Sequence, residues 1–213
     1  MECDNISMNQ CQMAMEYISE ERRYKANQYV YNEDKILSII GEFSLMYLLK
    51  KYHGIDYKKH TIKFQDRGKP YFIEKEMPSF NLSHTKNLVG IIVSDKTVGI
   101  DVENMQIEMY KNIKSLMKFC FSEKECKYVS LGEEGDCQRF YKVWTGREAY
   151  YKMTGEGIKI SNKKENIPSD INSFNMIYKQ YCIYICGVTK DDMGVIIMNE
   201  KNIDDMCKVI ERR

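Results

Sequence analysis

Val98-Gly99-Ile100-Asp101-Val102-Glu103 alternates apolar residues with others at period two, the pattern of a β-strand. Val98, Ile100 and Val102 turn to one face and toward a core. Gly99, Asp101 and Glu103 share the opposite face, where carboxylates at i and i+2 stand roughly 6–7 Å apart along the backbone. Such a pair can converge on a hard cation such as Mg²⁺, which takes few protein carboxylates and keeps water or phosphate oxygens. Gly99 on that face leaves room for a ligand or for a neighbouring backbone. A solvated strand face with two incidental acids gives the same hexapeptide, so it does not decide the chemistry alone.

Upstream, short apolar runs at Phe64, Tyr71–Ile73, Phe80–Leu82 and Leu88–Val93 read as strands separated by turn residues. Leu88–Val93 and Val98–Val102, linked by Asp95-Lys96-Thr97, read as a β-hairpin. Before the strands come helices. Ser19 followed by Glu20 and Glu21 is an N-cap with acids in the first turn. A second helix starts after Asn32, carries Ile36, Ile39, Ile40, Phe43, Met46 and Tyr47 at three- and four-residue steps, and stops near His53-Gly54.

Downstream the order repeats. Ser122 and Glu125 form a capping box, and a longer helix runs from about Asp136 to Met153 and ends at Gly155. Strands follow at Phe174–Ile177, Tyr181–Cys186 and Gly194–Met198, then a closing helix with Ile203, Met206, Val209 and Ile210 on one face. The pattern predicts an α+β fold of two halves, residues 1–104 and 105–213.

The 32 Lys and Arg against 31 Asp and Glu argue against generic nucleic-acid binding. Eight cysteines show no CxxC pair, and three histidines show no zinc-finger spacing. No apolar run approaches the ~20 residues that span a bilayer, and no export signal is seen. The expectation is a cytoplasmic protein with reduced thiols and no membrane partner.

Two further constellations carry chemistry. Trp144, Glu148 and Lys152 recur at four-residue steps and stack on one face of the long helix. Glu148 and Lys152 could be an exposed i,i+4 pair. Phe140, Tyr141, Trp144 and Ala149 nearby suggest instead a largely buried helix, where a charged pair needs partners or a function. Arg147 adds a cation. In Phe80-Asn81-Leu82-Ser83-His84, a hydroxyl and an imidazole can meet an anion, or form a surface turn. No nucleophile elbow accompanies them. Gly68-Lys69-Pro70 holds a lysine between two backbone constrainers, and Arg22, Arg23 and Lys25 lie on the first helix, as phosphate contacts or a solvated face.

Taken in order, Gly68-Lys69-Pro70 with Phe80–His84, then Val98–Glu103, then Phe121–Glu125 with Trp144–Ile158, resemble the 4′-phosphopantetheinyl transferase family, in its single-chain type that activates peptide and polyketide synthetases. The resemblance runs from about Ser19 to Ile158. It implies two similar α+β halves related by pseudo-twofold symmetry, acting as a monomer, with coenzyme A in the cleft between them. It implies Mg²⁺ on Asp101, Glu103 and Glu148, with Lys152 beside the diphosphate. Ser83, His84 and Lys69 would contact phosphates, with Gly68 allowing close approach and Pro70 counted with them among the coenzyme A-binding residues. Arg22 and Lys25 match positions that hold the 3′-phosphate, and Ser38 a small hydroxyl residue lining the same pocket. Two positions depart from the family pattern: Arg147 and Arg22 stand where lysine is usual.

The activity implied is transfer of phosphopantetheine from coenzyme A to a serine of an acyl or peptidyl carrier protein, releasing adenosine 3′,5′-bisphosphate. Glu148 is the candidate base, with Lys152 and His84 assisting. The carrier would dock around Met109–Ser130, where Met117, Phe119 and Phe121 are apolar and Lys111, Lys114, Lys118, Lys124 and Lys127 suit an acidic surface; the same apolar residues could equally be core. The competing readings are another Mg²⁺-dependent phosphoryl enzyme and a non-catalytic coenzyme A or nucleotide-binding module.

Overall fold

A computed structural model describes residues 1–105, 116–130, 136–157 and 167–212. Helices lead and strands follow, twice. The first run is α1 (Met8–Tyr17), α2 (Glu20–Ala26), α3 (Asn32–His53), β1 (Ile62–Phe64), β2 (Pro70–Phe72), β3 (Ser79–Thr85), β4 (Leu88–Ser94) and β5 (Gly99–Asn104). The second is α4 (Glu123–Val129), α5 (Asp136–Thr154), β6 (Ser173–Tyr178), β7 (Tyr181–Cys186) and α6 (Ile203–Glu211). The expected α+β class is what forms. Among the described residues no helix is long and apolar enough to cross a membrane, and all eight cysteines are free thiols.

Two compact units divide the chain. The first comprises Met1–Lys63, Pro70–Asp95 and Gly194–Arg213, the second Phe64–Lys69 and Lys96–Met193. This differs from a single cut at 104/105. β5 falls in the second unit because it pairs with β7, and the last segment returns to the first because α6 packs with α1 and α3.

In the first unit α3 is apolar on more than one side and is buried accordingly. Leu37, Ile39, Ile40, Phe43 and Tyr47 pack with Cys11, Ala14 and Ile18 beside α1 and with Ile203, Met206 and Cys207 of α6. Leu45 and Leu49 meet Phe72 and Phe80, whose rings contact edge to face at 5.2 Å. Gly54 takes a φ of 68° and ends α3, with the Ile55 N–H returning to the Leu49 carbonyl at 3.1 Å. β3 and β4 form an antiparallel hairpin from Ser79↔Ser94 to Thr85↔Leu88. The helix α1 went unread in the sequence, although Ser7 and Gln10 cap it reciprocally.

In the second unit β5, β7 and β6 make an antiparallel sheet in that order, with Asp101 opposite Tyr184 and Glu103 opposite Cys182. The expected hairpin of Leu88–Val93 with Val98–Val102 does not form, since β4 pairs only with β3 in its sheet. β5 is buried on both faces through its first four residues, which requires β7 beside it and α5 over it. The expected strand at Gly194–Met198 is absent too. Val195, Ile196 and Ile197 are exposed, and a β-branched run becomes a strand only where a neighbour supplies the ladder.

Candidate active site

Gly99 determines how closely α5 can lie on β5. A Cβ at that position would sit 2.1 Å from the Ala149 carbonyl oxygen and 2.5 Å from the Met153 amide, so the room Gly99 leaves is taken by helix backbone. Gly146 does the same against the Tyr184 ring, 3.1 Å from a Cβ there. α5 therefore covers the face that carries Asp101 and Glu103, running antiparallel to β5.

That register matches the acids with α5 residues. Lys152 Nζ donates to Asp101 Oδ1 at 2.6 Å, and Trp144 Nε1 donates to Glu103 Oε1 at 3.2 Å. Asp101 is almost wholly buried, its side chain 5% exposed against 31% for Lys152. Lys152 thus holds a strand acid, where an i,i+4 pair with Glu148 was one expectation. Burial, and then the Asp101 carboxylate, push the Glu103 carboxyl up to about 7. Burial and Asp101 likewise raise Glu148, with Lys152 opposing them.

The three acids therefore share one electrostatic neighbourhood, and their carboxylate oxygens are hard donors of the kind Mg²⁺ takes. Among the described residues, however, no three acidic, histidine or cysteine side chains close around a single point as a metal cage. At Asp101 the positive charge is the Lys152 ammonium.

Arg147, next to Glu148, points elsewhere. Its Nε and Nη2 reach Glu125 Oε1 and Oε2 at 3.0 and 2.8 Å, and its side chain is 5% exposed. Glu125 also accepts from the Ser122 N–H at 2.7 Å, so one carboxylate closes the α4 capping box and ties α4 to α5. The cation read beside the site is in fact a structural anchor.

Lys69 is likewise engaged. Its Nζ donates to the carbonyls of Val98 at 3.2 Å and Met153 at 2.6 Å, and burial pushes the ammonium down to about 8. A cation at those carbonyls satisfies the C-terminal end of α5. Gly68, with φ 83°, lets the turn from Gln65 fold back, its N–H reaching the Gln65 carbonyl at 2.8 Å. Open space surrounds the position of its missing side chain, as an approaching ligand would need. Ile158, the last residue of the resembling segment, lies outside the described residues.

In the first unit Ser83 and His84 are consecutive strand residues, and consecutive side chains face opposite sides. Ser83 is buried and His84 exposed, so the structure does not bring the hydroxyl and the imidazole to one face. Pro70 opens β2. Arg22 and Ser38 do come together, with Arg22 Nη1 3.5 Å from Ser38 Oγ. Lys25 pairs with Glu21 at 2.6 Å on the exposed face of α2. Sequence reasoning missed Glu42, which accepts Arg22 Nε at 3.0 Å and the Ser19 N–H at 2.7 Å. Its signal was an acid four residues after Ser38 within a helix buried on several sides.

A family model described as the 4′-phosphopantetheinyl transferase superfamily matches residues 97–187, and one described as 4′-phosphopantetheinyl transferase, N-terminal, matches residues 5–97. The chain is 31% identical over 146 residues to the 4′-phosphopantetheinyl transferase HetI of Nostoc sp., covering 66% of this chain and 61% of that protein. It is 27% identical over 149 residues to a 4′-phosphopantetheinyl transferase of Bacillus subtilis, covering 68% and 64%. With the 4′-phosphopantetheinyl transferase gsp of Aneurinibacillus migulanus the figures are 29% over 172 residues, 76% and 66%. Each match spans less than two thirds of the relative's own length.

Proposed function

The chain belongs to the 4′-phosphopantetheinyl transferase superfamily, and from that membership we propose that it transfers the phosphopantetheine arm of coenzyme A to a serine of an apo carrier protein. The observation that carries this reading is the juxtaposition of Asp101, Glu103, Glu148 and Lys152 where α5 crosses β5.

In this reading Asp101, Glu103 and Glu148 hold Mg²⁺, which supplies charge neutralisation of the diphosphate and of the oxygens that develop charge. The chain's own residues do the rest. Arg22 and Ser38 take the 3′-phosphate of coenzyme A and Lys152 its diphosphate, and of the adjacent strand residues only exposed His84, not buried Ser83, is open to a phosphate. Lys69 and Pro70 shape the turn at Gly68 rather than offering a swinging ammonium. The carrier serine Oγ attacks the β-phosphorus, its proton passes to the Glu148 carboxylate, and the bond to the bridging oxygen breaks to release adenosine 3′,5′-bisphosphate. Burial and Asp101 raise the proton affinity of Glu148, the direction a proton acceptor needs.

The partner surface is narrower than the sequence suggested. Met117 and Phe121 are core residues, whereas Phe119 is 63% exposed, and Lys118, Lys124 and Lys127 of the same stretch are exposed as well. Met109, Lys111 and Lys114 lie outside the described residues. An acidic carrier meets this face through charge complementarity.

The test is product analysis with Mg²⁺ and coenzyme A, with and without an apo carrier. Adenosine 3′,5′-bisphosphate should form only when the carrier is present. Product or phosphate released without a carrier would favour the hydrolytic reading. Coenzyme A binding with no product across acyl and peptidyl carriers would favour a binding module.

A further inference from the structure

Glu42 lies in the apolar core helix α3, its side chain only 5% exposed. A carboxylate there needs partners that satisfy both oxygens. They come from the start of α2: Oε1 accepts the Ser19 N–H at 2.7 Å and Oε2 accepts Arg22 Nε at 3.0 Å. Ser19 Oγ in turn caps the Arg22 N–H at 3.2 Å. Arg22 thus leaves a helix whose first turn is fastened to the acid that also grips its side chain.

A guanidinium carries five donors in one rigid plane, so fixing two of them fixes the direction of the others. Nε is held by Glu42, and Nη1 lies 3.5 Å from Ser38 Oγ, one turn before Glu42 on α3. The Tyr57 hydroxyl lies in the field of the same pair, Glu42 raising and Arg22 lowering its proton affinity beneath the larger effect of burial. The Arg22 side chain remains 32% exposed, so a buried anchor ends in an accessible fork. A lysine, with a single rotatable ammonium, would need no such plane-setting acid. The arginine at this position and the acid beneath it therefore make sense together.

We propose that Glu42 is a positioning residue: by holding Nε it aims the Arg22 guanidinium, with Ser38 beside it, at the 3′-phosphate of coenzyme A, and so sets selectivity for the 3′-phosphorylated nucleotide. This rests on the reading of coenzyme A as substrate. Glu42 itself touches no substrate, and its effect passes through Arg22.

The experiment is calorimetric titration of the full chain, with Mg²⁺, against coenzyme A and 3′-dephospho-coenzyme A. Glu42→Gln should weaken coenzyme A about tenfold, as expected for one charge-assisted contact losing its geometry, and change 3′-dephospho-coenzyme A less than about twofold. Glu42→Asp, which keeps the charge but withdraws it by one methylene, should give the same split and serves if Glu42→Gln does not fold. Equal weakening of both ligands in a folded variant would reduce Glu42 to a structural role and overturn the proposal. If the wild type discriminates and Arg22→Ala abolishes this while Glu42→Gln does not, the positioning role alone fails. If the wild type binds both ligands alike, the assignment of the 3′-phosphate to Arg22 fails as well.

Discussion

At the scale of single residues, Glu103 and Gly99 carry the account. The Glu103 carboxyl lies near 7 in the folded protein against an ordinary 4.5, because burial and then Asp101 disfavour its charge. Its contribution to stability is therefore fully present below about 4.5 and lost as pH rises through about 7. With a chelator present, the wild type should lose thermal stability between pH 5 and pH 8 relative to Glu103→Gln, and Mg²⁺ should restore part of it at pH 8. Parallel melting curves for the two proteins check this, and identical pH dependences would mean that Glu103 is not strained in this way. At Gly99 the nearest backbone atom leaves no room for a methyl group. Gly99→Ala should cost about 1–3 kcal/mol, the usual range for overpacking, with a lower Tm and slower transfer because α5 is lifted from Asp101. An unchanged Tm would show that the helix yields without cost.

At the scale of elements, the question is what fastens α5 over β5. Lys69 on the Val98 and Met153 carbonyls fastens the end of α5 to the start of β5, and the buried Arg147–Glu125 fork fastens α4 to α5. Removing one member of a buried ion pair strands the other, at a cost of about 3–5 kcal/mol. Arg147→Met should show this by chemical denaturation, whereas Arg147→Met combined with Glu125→Leu should recover much of the loss. A double variant no better than the single one would contradict the pairing. These fastenings also mark the limit of what the sequence discloses. Helix starts and stops were legible because Ser19, Ser122, Gly54 and Gly155 act on the backbone within a few residues of themselves. The alternation of Val98–Glu103 likewise put Asp101 and Glu103 on one face. The destinations of Arg147, Lys69 and Lys152 were not legible, since a long cationic side chain pairs with whatever tertiary packing brings near. The same limit applies to strand pairing: β5 ran close in sequence to β4 but belonged beside β7.

At the scale of the whole molecule, the candidate residues divide evenly between the two units. Asp101, Glu103, Glu148, Lys152 and Lys69 lie in the second unit, whereas Arg22, Lys25, Ser38, Ser83 and His84 lie in the first. The family motifs identified the candidates in both units because they are ordered along the chain. They did not mark the supporting acids Glu42 and Glu125, which act through other side chains. Exposed Phe119 with Lys118, Lys124 and Lys127 should make transfer sensitive to salt with an acidic carrier. Replacing the three lysines by glutamate should lower kcat/KM about tenfold at low salt and flatten the salt dependence, without moving the Tm. A fall in Tm of the same size as in core variants would contradict a docking role. The central claim is tested most directly by the intact mass of an apo carrier protein after incubation with the chain, coenzyme A and Mg²⁺. The carrier should gain one phosphopantetheine, and neither a serine-to-alanine carrier nor the Asp101→Asn chain should support that gain. An unmodified carrier across a panel of acyl and peptidyl types, with the chain folded and coenzyme A bound, would contradict it.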